Sequence, residues 1–251
     1  MLPSRFSSST IALLRGSEPL VALTGAGISA ESGLATFRGA DGIWNGHDPT
    51  ELATPDAFAR DPLLVWRFYD WRRRQALGAR PNAAHRALAA LQAQRRAVRI
   101  VTQNVDGLHE RAGSTDVLRL HGSLWRLRCT TEDRELDDLR PDLGVLPPRC
   151  VCGGLLRPAV VWFGEPLDPA LLARAEREVS RAALVLVIGT SSVVYPAALL
   201  APLARRAGAR VVEINPQRTA LTAGADEHVG GPAADLVPRL VAEAGFALEV
   251  A

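Results

Sequence analysis

A glycine-rich loop is the first segment whose residue types could do chemistry. It reads Gly25-Ala26-Gly27-Ile28-Ser29-Ala30 and matches the pattern G-x-G-x-x-A after a short apolar run. Glycines at this spacing permit a tight turn and let the backbone approach a pyrophosphate, with a helix N-terminus facing the anion. A tight strand-to-helix turn without any ligand explains the loop equally well. The loop alone therefore leaves nucleotide binding open.

Polar side chains follow three further apolar runs, at the point where each run ends. They are Gln103-Asn104-Val105-Asp106, Gly189-Thr190-Ser191 and the single residue Asn215. In an open parallel sheet, ligands bind outside the carboxyl ends of the strands. We therefore expect these segments and the glycine loop to converge on one cleft.

The elements that must position these residues alternate along the chain. Short apolar runs predict strands at 20–23, 98–101, 184–188 and 211–214, and helical spacing predicts helices at 83–94, 169–180 and 197–207. This alternation favours an α/β fold, a Rossmann-like parallel sheet with helices on both faces. Residues 36–80, which are helical, and 124–158, which contain the cysteines, interrupt the alternation. We expect them to form a smaller lobe.

The division into lobes follows from those two insertions. We expect one domain over residues 1–251, with a large lobe at about 1–35, 81–123 and 159–251. The net charge of +2 from 29 basic and 27 acidic residues gives no electrostatic footprint for nucleic acid. No apolar stretch approaches the length of a membrane span, and the N-terminus lacks a signal-peptide core. These observations predict a cytoplasmic protein that binds neither nucleic acid nor membrane, and we expect a monomer.

Taken in order, the motifs resemble those of the sirtuin family, the NAD-dependent protein-lysine deacylases. The resemblance covers about residues 18–240. It rests on the segment from Gly25 to Gly33, Phe37-Arg38-Gly39, Thr102-Gln103-Asn104-Val105-Asp106, Leu120-His121-Gly122, Gly189-Thr190-Ser191 and Asn215-Pro216. It implies a Rossmann-type large domain with a small helical and zinc-binding lobe, in agreement with the two insertions.

The resemblance also implies roles for individual residues. NAD would be the co-substrate, and acylated lysines of other proteins would be the substrates. The residues implied to bind NAD are Gly25, Ala26, Gly27, Ser29, Phe37, Arg38, Gln103, Asn104, Val105, Asp106, Gly189, Thr190, Ser191, Asn215, Pro216, Gln217 and Ala233. Asp106 has two readings: a loop cap, or the group that binds the nicotinamide amide.

His121 and Asn104 are the implied catalytic residues. In sirtuin-like chemistry the acyl oxygen attacks the nicotinamide ribose as nicotinamide leaves, so positioning matters more than a strong nucleophile. A base then activates a ribose hydroxyl, and water finally leaves the acyl group on ADP-ribose. His121 suits the role of base because a histidine with a pKa near 6.5 is largely neutral near pH 7.

The pair Tyr69 and Arg72 concerns the acyl group. Their i, i+3 spacing places both on one helix face. The plain reading is a surface arginine beside a packed tyrosine. The sharper reading is a guanidinium and a phenol that bind a carboxylate. This pair, with the small Ala53 before it, resembles the sirtuin class that removes succinyl and malonyl groups and often keeps deacetylase activity.

The segment Trp162-Phe163-Gly164-Glu165, which follows Pro158-Ala159-Val160-Val161, resembles the substrate groove of the family. We expect Val161, Phe163, Gly164 and Glu165 to contact the acylated peptide, whose backbone would add as a strand between the two lobes. The alternative, a buried core strand, accounts for Val161 but explains Gly164 and Glu165 poorly.

The cysteines depart from the family pattern of two Cys pairs around zinc. Cys129 is followed three positions later by Glu132, and Cys150 is separated from Cys152 by one residue. Structural zinc usually has four ligands, mostly thiolate and imidazole. Glu132 or Asp133 is the candidate for a weak fourth ligand. We expect an incomplete site and favour loss of zinc slightly over its retention. Without zinc, apolar packing must hold the lobe, through Leu124, Trp125, Leu127, Leu155 and Leu156.

Two other functions compete with deacylation. A mono-ADP-ribosyltransferase would use the same pocket, and a non-catalytic NAD or ADP-ribose sensor would fit the incomplete cysteine site. A hydride-transferring dehydrogenase is disfavoured, because no acidic residue ends a second strand about 20 residues after the glycine loop.

Overall fold

The computed structural model describes residues 5–36, 49–95, 97–140 and 142–248. The helices are α1 Ser8–Arg15, α2 Pro49–Leu52, α3 Pro55–Arg60, α4 Pro62–Gly78, α5 Ala83–Gln94, α6 Leu108–Arg111, α7 Pro169–Arg181, α8 Leu200–Arg206 and α9 Ala233–Glu243. The strands are β1 Leu20–Thr24, β2 Val98–Thr102, β3 Val117–Arg119, β4 Gly122–Cys129, β5 Glu135–Asp137, β6 Leu156–Val160, β7 Leu184–Ile188, β8 Arg210–Ile214 and β9 Glu227–Val229.

The main sheet has six parallel strands in the order β3-β2-β1-β7-β8-β9. Its central strands β1 and β7 are buried along their whole length, as parallel strands covered on both faces must be. The predicted α/β fold is thus confirmed. The sequence did not reveal β3 and β9, because three-residue edge strands carry too short an apolar pattern.

Two apolar layers cover the faces of this sheet. Along β1, Leu20 and Ala22 face one layer, whereas Val21 and Leu23 face the other, as the two-residue repeat of a strand requires. The first layer holds the buried residues of α1, α5 and α9, and the second holds those of α7 and α8. The helices therefore lie on both sides, as predicted.

The helix bounds follow from local capping. Helix α5 begins after Asn82, whose side chain accepts a hydrogen bond from the Ala84 N–H at 2.9 Å, and it spans the predicted residues. The helix predicted at 197–207 is shorter. A 3-10 turn, Ala197–Leu199, precedes α8. Pro202 has no N–H to donate to a carbonyl four residues earlier, so a regular helix cannot run from 197 through it.

A second, antiparallel sheet has the order β5-β4-β6 and packs with the helices α3 and α4 around a third apolar cluster. The five residues expected to hold the smaller lobe all belong to this cluster or pack against it. Buried Arg73 joins α4 to the segment after β5. It forms an ion pair with Asp138 at 3.1 Å and donates a hydrogen bond to the Arg140 carbonyl at 2.9 Å.

Within the described ranges, no helix combines the length and the apolar composition that a membrane crossing requires.

Candidate functional site

The glycine loop contacts the loop that follows β7. Gly27 N–H donates to the Gly189 carbonyl at 2.7 Å, and Gly25 N–H donates to the Ile188 carbonyl at 3.0 Å. A Cβ atom on Gly27 would lie 2.7 Å from the Gly189 Cα, and one on Gly189, whose φ is 61°, would overlap the backbone of Ile28. The close packing of two loops thus demands glycine, apart from any ligand. A seven-residue 3-10 helix, Ala26–Ser32, follows the loop.

A buried polar cluster lies directly after this loop and after β2. The Ser29 hydroxyl donates to Asp106 Oδ2 at 2.8 Å, and the Asn104 amide donates to the Gly25 carbonyl at 3.1 Å and to Ser29 Oγ at 3.3 Å. Within the described chain, nothing donates to the Asn104 side-chain oxygen. This oxygen therefore remains for a ligand, since Asn104 lines the cleft.

The first of the two readings of Asp106, a loop cap, agrees with its hydrogen bonds. Its Oδ1 accepts from the Leu108 N–H at 2.9 Å and so caps α6, while its Oδ2 belongs to the polar cluster. Burial raises the pKa of Asp106, and the hydrogen bonds from Leu108 and Ser29 and the charge of Arg72 oppose that rise. Asp106 also lines the cleft, and its contact with the nicotinamide amide stays a prediction.

His121 lies between the two sheets, after β3 and before β4. Its Nδ1 is 3.0 Å from the Gln103 carbonyl oxygen, which can only accept, so Nδ1 carries the proton and Nε2, which no described residue hydrogen-bonds, is the basic atom. Burial lowers the pKa of His121, and the bond to Gln103 partly opposes the decrease. A neutral imidazole with an exposed lone pair on Nε2 is the form that a general base needs.

The ends of β2, β7 and β8 meet beyond the polar cluster. The Gln103 amide donates to Thr190 Oγ1 at 3.0 Å, and the Asn215 amide donates to the Thr190 carbonyl at 2.9 Å. Ser191 is half-buried here, whereas Pro216 and Gln217 are exposed, and Ala233 is buried at the start of α9. The structure thus brings the predicted strand-end segments together at one edge. Phe37 and Arg38 lie outside the described residues.

Sequence reasoning missed two buried histidines behind the cleft. His109 Nε2 is 2.9 Å from Thr24 Oγ1, and His85 Nε2 is 3.5 Å from Ser29 Oγ. Burial lowers the pKa of His85 to about 3 and that of His109 to about 4, so both are neutral near pH 7. The position of His85 at the capping box of α5 was the signal in the sequence that could have drawn attention to it.

Tyr69 and Arg72 are neighbours on α4, where Tyr69 belongs to the third apolar cluster and Arg72 lines the cleft. The Tyr69 side chain is buried, and its hydroxyl oxygen accepts a hydrogen bond from Trp162 Nε1 at 2.9 Å. The Arg72 guanidinium carbon is 6.0 Å from the centre of the Tyr69 ring, and Arg72 lines the same cleft as Asn104 and Asp106. Burial raises the pKa of Tyr69 despite the charge of Arg72. The two residues are therefore neighbours beside the polar cluster.

The expected groove residues lie on the segment that follows β6. Val161 N–H donates to the His121 carbonyl at 3.0 Å, and Phe163 N–H donates to the Ala53 carbonyl at 2.9 Å. Phe163 is 47% exposed, and Gly164 has a φ of 86°. The Glu165 carboxylate accepts from Arg157 and from the Trp162 N–H, so it fixes the segment. A direct contact of Glu165 with substrate stays a prediction.

The three cysteines converge at the far end of the small sheet, where Glu132 joins them. Cys129 Sγ and Cys152 Sγ are 3.5 Å apart, and the four candidate ligand atoms of the cluster lie within 4.8 Å of one another. The Cys152 N–H and the Arg134 guanidinium lower the pKa of Cys150 to about 7, which favours the metal-binding thiolate. The structure therefore selects Glu132 over Asp133 and supplies four donors where the sequence suggested an incomplete site.

A family model described as "Sir2 family" matches residues 25–196. The chain belongs to the Sir2 family. Among Sir2 relatives, "NAD-dependent protein deacylase 2" of Pyrobaculum aerophilum is 52% identical over 92% of this chain and 93% of its own length. "NAD-dependent protein deacylase 1" of Pseudomonas aeruginosa is 50% identical over 93% of this chain and 97% of its own length.

Solved structures of the Sir2 family agree with this fold. The crystal structure of a Sir2 homologue–NAD complex has a TM-score of 0.90 and 47% identity, and the match covers 95% of this chain and 94% of that one. The similarity thus extends over both sheets and over the cleft that joins them.

Proposed function

We propose that this protein is an NAD-dependent deacylase that removes acyl groups, including succinyl and malonyl as well as acetyl, from lysines of other proteins. The observation that carries the activity is the tautomer of His121: its Nδ1–H donates to the Gln103 carbonyl, so Nε2, which has no hydrogen-bond partner among the described residues, can accept a proton. The Sir2 relatives named as deacylases and the NAD complex of a Sir2 homologue support the same activity.

The donors and acceptors at the sheet edge fit NAD. Asn104 Oδ1 and Asp106 Oδ2 would hold the nicotinamide ribose and amide, the backbone from Gly25 to Gly27 would hold the pyrophosphate, and Asn215 would hold the adenosine half. When bound, NAD supplies the ribose carbon that accepts the acyl oxygen as nicotinamide leaves. The protein contributes position, because the ends of its strands fix these groups before any ligand arrives.

His121 then acts as the base in this scheme. Its Nε2 takes a proton from a hydroxyl group held in the cleft, and the Gln103 carbonyl stabilises the resulting imidazolium through Nδ1–H. Because Val161 is bonded to the His121 carbonyl, the groove segment and the base keep a fixed separation. A peptide that pairs with this segment would bring its acylated lysine toward Nε2.

Arg72 and Tyr69 support the preference for acidic acyl groups. Arg72 supplies a positive charge to the cleft, and its guanidinium carbon lies 6.0 Å from the centre of the Tyr69 ring, whose hydroxyl supplies a hydrogen-bond donor. A carboxylate at the end of an acyl chain would find both a charge and a hydrogen-bond donor there. Ala53 is buried in the same apolar cluster as Tyr69, and its side chain is a single methyl group, which would leave space for a longer acyl chain.

The test compares kcat/KM for succinyl-lysine and acetyl-lysine peptides, with the products identified by mass spectrometry. We expect Arg72→Met to reduce succinyl turnover by roughly 10- to 100-fold, because hydrogen bonds to charged groups contribute about 1.5–3 kcal/mol. Acetyl turnover should fall far less. Exposed Arg67→Met, on the same helix, is the matched control and should change neither.

Equal losses on both peptides would remove the acidic-acyl preference and leave a general deacylase. The product masses separate the other two functions. ADP-ribosylated peptide would indicate mono-ADP-ribosyl transfer, and NAD binding without turnover would indicate a sensor. The argument for a sensor is weaker than the sequence suggested, because Glu132 lies where a fourth zinc ligand is needed.

Zinc retention is part of the proposal. Cys129, Glu132, Cys150 and Cys152 would hold a zinc ion that staples the small sheet to the loop before β6. We also propose the lobe boundaries, the cytoplasmic location and the monomeric state as the sequence predicts them.

A further inference from the structure

The hydrogen bond between Trp162 and Tyr69 has a fixed direction. An indole N–H can only donate, so Trp162 Nε1–H donates to the Tyr69 hydroxyl oxygen at 2.9 Å. The phenol must then direct its own proton elsewhere. Among the described residues, none accepts that proton. Since the Tyr69 side chain is only 2% exposed, the proton has no acceptor in bulk water either.

We infer that Trp162 is a positioning residue for acyl selectivity: it occupies the acceptor face of Tyr69 and so commits the phenol to donate to the acyl carboxylate beside Arg72. This inference rests on the proposed preference for acidic acyl groups. Without Trp162 the phenol could rotate and offer its lone pairs, which repel a carboxylate. Accepting one hydrogen bond also polarises the O–H and strengthens it as a donor.

The indole is itself held from behind. The Arg157 guanidinium carbon lies 3.4 Å from the centre of the Trp162 ring, and both its amino groups bind the Glu165 carboxylate. Glu165 also accepts from the Trp162 backbone N–H at 2.8 Å. A cation stacked on the ring draws electron density from the indole, which makes its N–H a better donor.

The packing around the ring keeps this bond in one place. Trp162 is 3% exposed, and the Phe58 ring lies 5.4 Å from it, centre to centre. The indole therefore has one orientation in which its N–H reaches Tyr69. The groove segment, which would bind the peptide backbone, thus also orients the Tyr69 hydroxyl that would donate to the acyl group. Peptide binding and acyl selectivity are joined through one side chain.

The test uses Trp162→Phe, which removes the N–H and keeps an aromatic ring in the apolar site. We expect KM for a succinyl-lysine peptide to rise about three- to tenfold, the size of one hydrogen bond, with little change in kcat. KM for the acetyl peptide should stay within about twofold, because acetyl presents no carboxylate. Tyr69→Phe should show the same split. In the double variant, the second substitution should add nothing.

The possible outcomes separate the two proposals. If Trp162→Phe impairs both peptides equally, or if its effect adds fully to that of Tyr69→Phe, Trp162 is merely structural and the inference is overturned. If Arg72→Met and Tyr69→Phe each impair succinyl and acetyl turnover equally, the proposed preference for acidic acyl groups is itself wrong. Thermal unfolding of each variant gives the stability reference. Should Trp162→Phe unfold, Trp162→Tyr takes its place, because a hydroxyl can accept as well as donate and so does not fix the direction of the Tyr69 proton. Its effect on succinyl selectivity is then compared with that of Tyr69→Phe, alone and combined. Full additivity of the two effects overturns the inference.

Discussion

Two regions of the cleft are built in different ways. The sheet-edge site, formed by Ser29, Asn104, Asp106 and His121, uses side chains at strand ends that are held by the Gly25 and Gln103 carbonyls and by one another. The acyl-pocket site, formed by Tyr69, Arg72 and Trp162, uses long side chains from a helix and from a loop 90 residues later. One site depends on the backbone, and the other depends on side-chain packing.

The difference indicates how each region tolerates change. The backbone of a parallel sheet fixes a strand end within narrow limits, so a site built there keeps its geometry even when surface residues vary. A site built from packed side chains can change its ligand when one partner is replaced. The reaction should therefore reside in the first region and the choice of acyl group in the second.

The largest expected effect is on the sheet-edge site. His121→Ala should lower kcat for both peptides by about 10²- to 10⁴-fold, because it removes the general base. NAD affinity should change little, since His121 contacts the chain through Gln103 and Val161 and not through the glycine loop. O-acyl-ADP-ribose measured by mass spectrometry gives the rate, and calorimetric titration gives the NAD affinity. If His121→Ala lowered turnover of one peptide much more than the other, the sheet-edge site would also select the acyl group, contrary to this division.

The backbone dependence of the sheet edge is tested with two glycines. Gly189→Ala should lower the free energy of unfolding by roughly 3 kcal/mol or more, because its Cβ would overlap the Gly27 and Ile28 backbone at positive φ. Gly33→Ala has a φ of 85° but open space, and it should cost only about 1 kcal/mol. Urea denaturation measures both. Equal losses would show that strain alone, and not the contact between loops, requires the glycine at 189.

Zinc removal tests what stabilises the smaller lobe. Elemental analysis after dialysis should give about one zinc per chain, and chelation should lower the free energy of unfolding by a few kcal/mol. Glu132→Gln should reduce zinc affinity, since an amide is a poorer ligand than a carboxylate. Glu135→Gln, which alters a surface ion pair with Arg126, is the control. Metal-free protein of unchanged stability would show that apolar packing alone holds this part.

The smallest expected effect is a shift in pH dependence. Burial lowers the pKa of His121 below 6.5, and the base must be neutral to accept a proton. Activity is therefore retained as the pH falls through 6.5 and is lost only at the lower folded pKa. A profile of kcat/KM from about pH 5 to about pH 8 should place the acid limb below 6.5. An acid limb above pH 7 would assign the titration to another group.

Much of the sheet edge could be predicted because its information is local. Its residues all lie within a few positions of a strand end: the glycine pattern, the polar residues after each apolar run and His121. The edge strands β3 and β9 escaped detection because three residues carry little periodicity. The length of α8 depended on one proline. Missing these two strands and overestimating this helix did not change the predicted location of the site, since the central strands determine it.

The parallel sheet and the strand ends that carry the polar groups could be predicted from the amino-acid sequence, because the spacing of apolar and glycine residues encodes them directly. The family was predicted from the resemblance of its motifs. The tertiary structure alone decided which partners meet across long separations. Glu132 joins the thiols, Glu165 binds Arg157 instead of facing solvent, and Trp162 donates to Tyr69. The physical reason is that the direction of a long side chain depends on what packs around it, and that packing comes from residues distant in the chain.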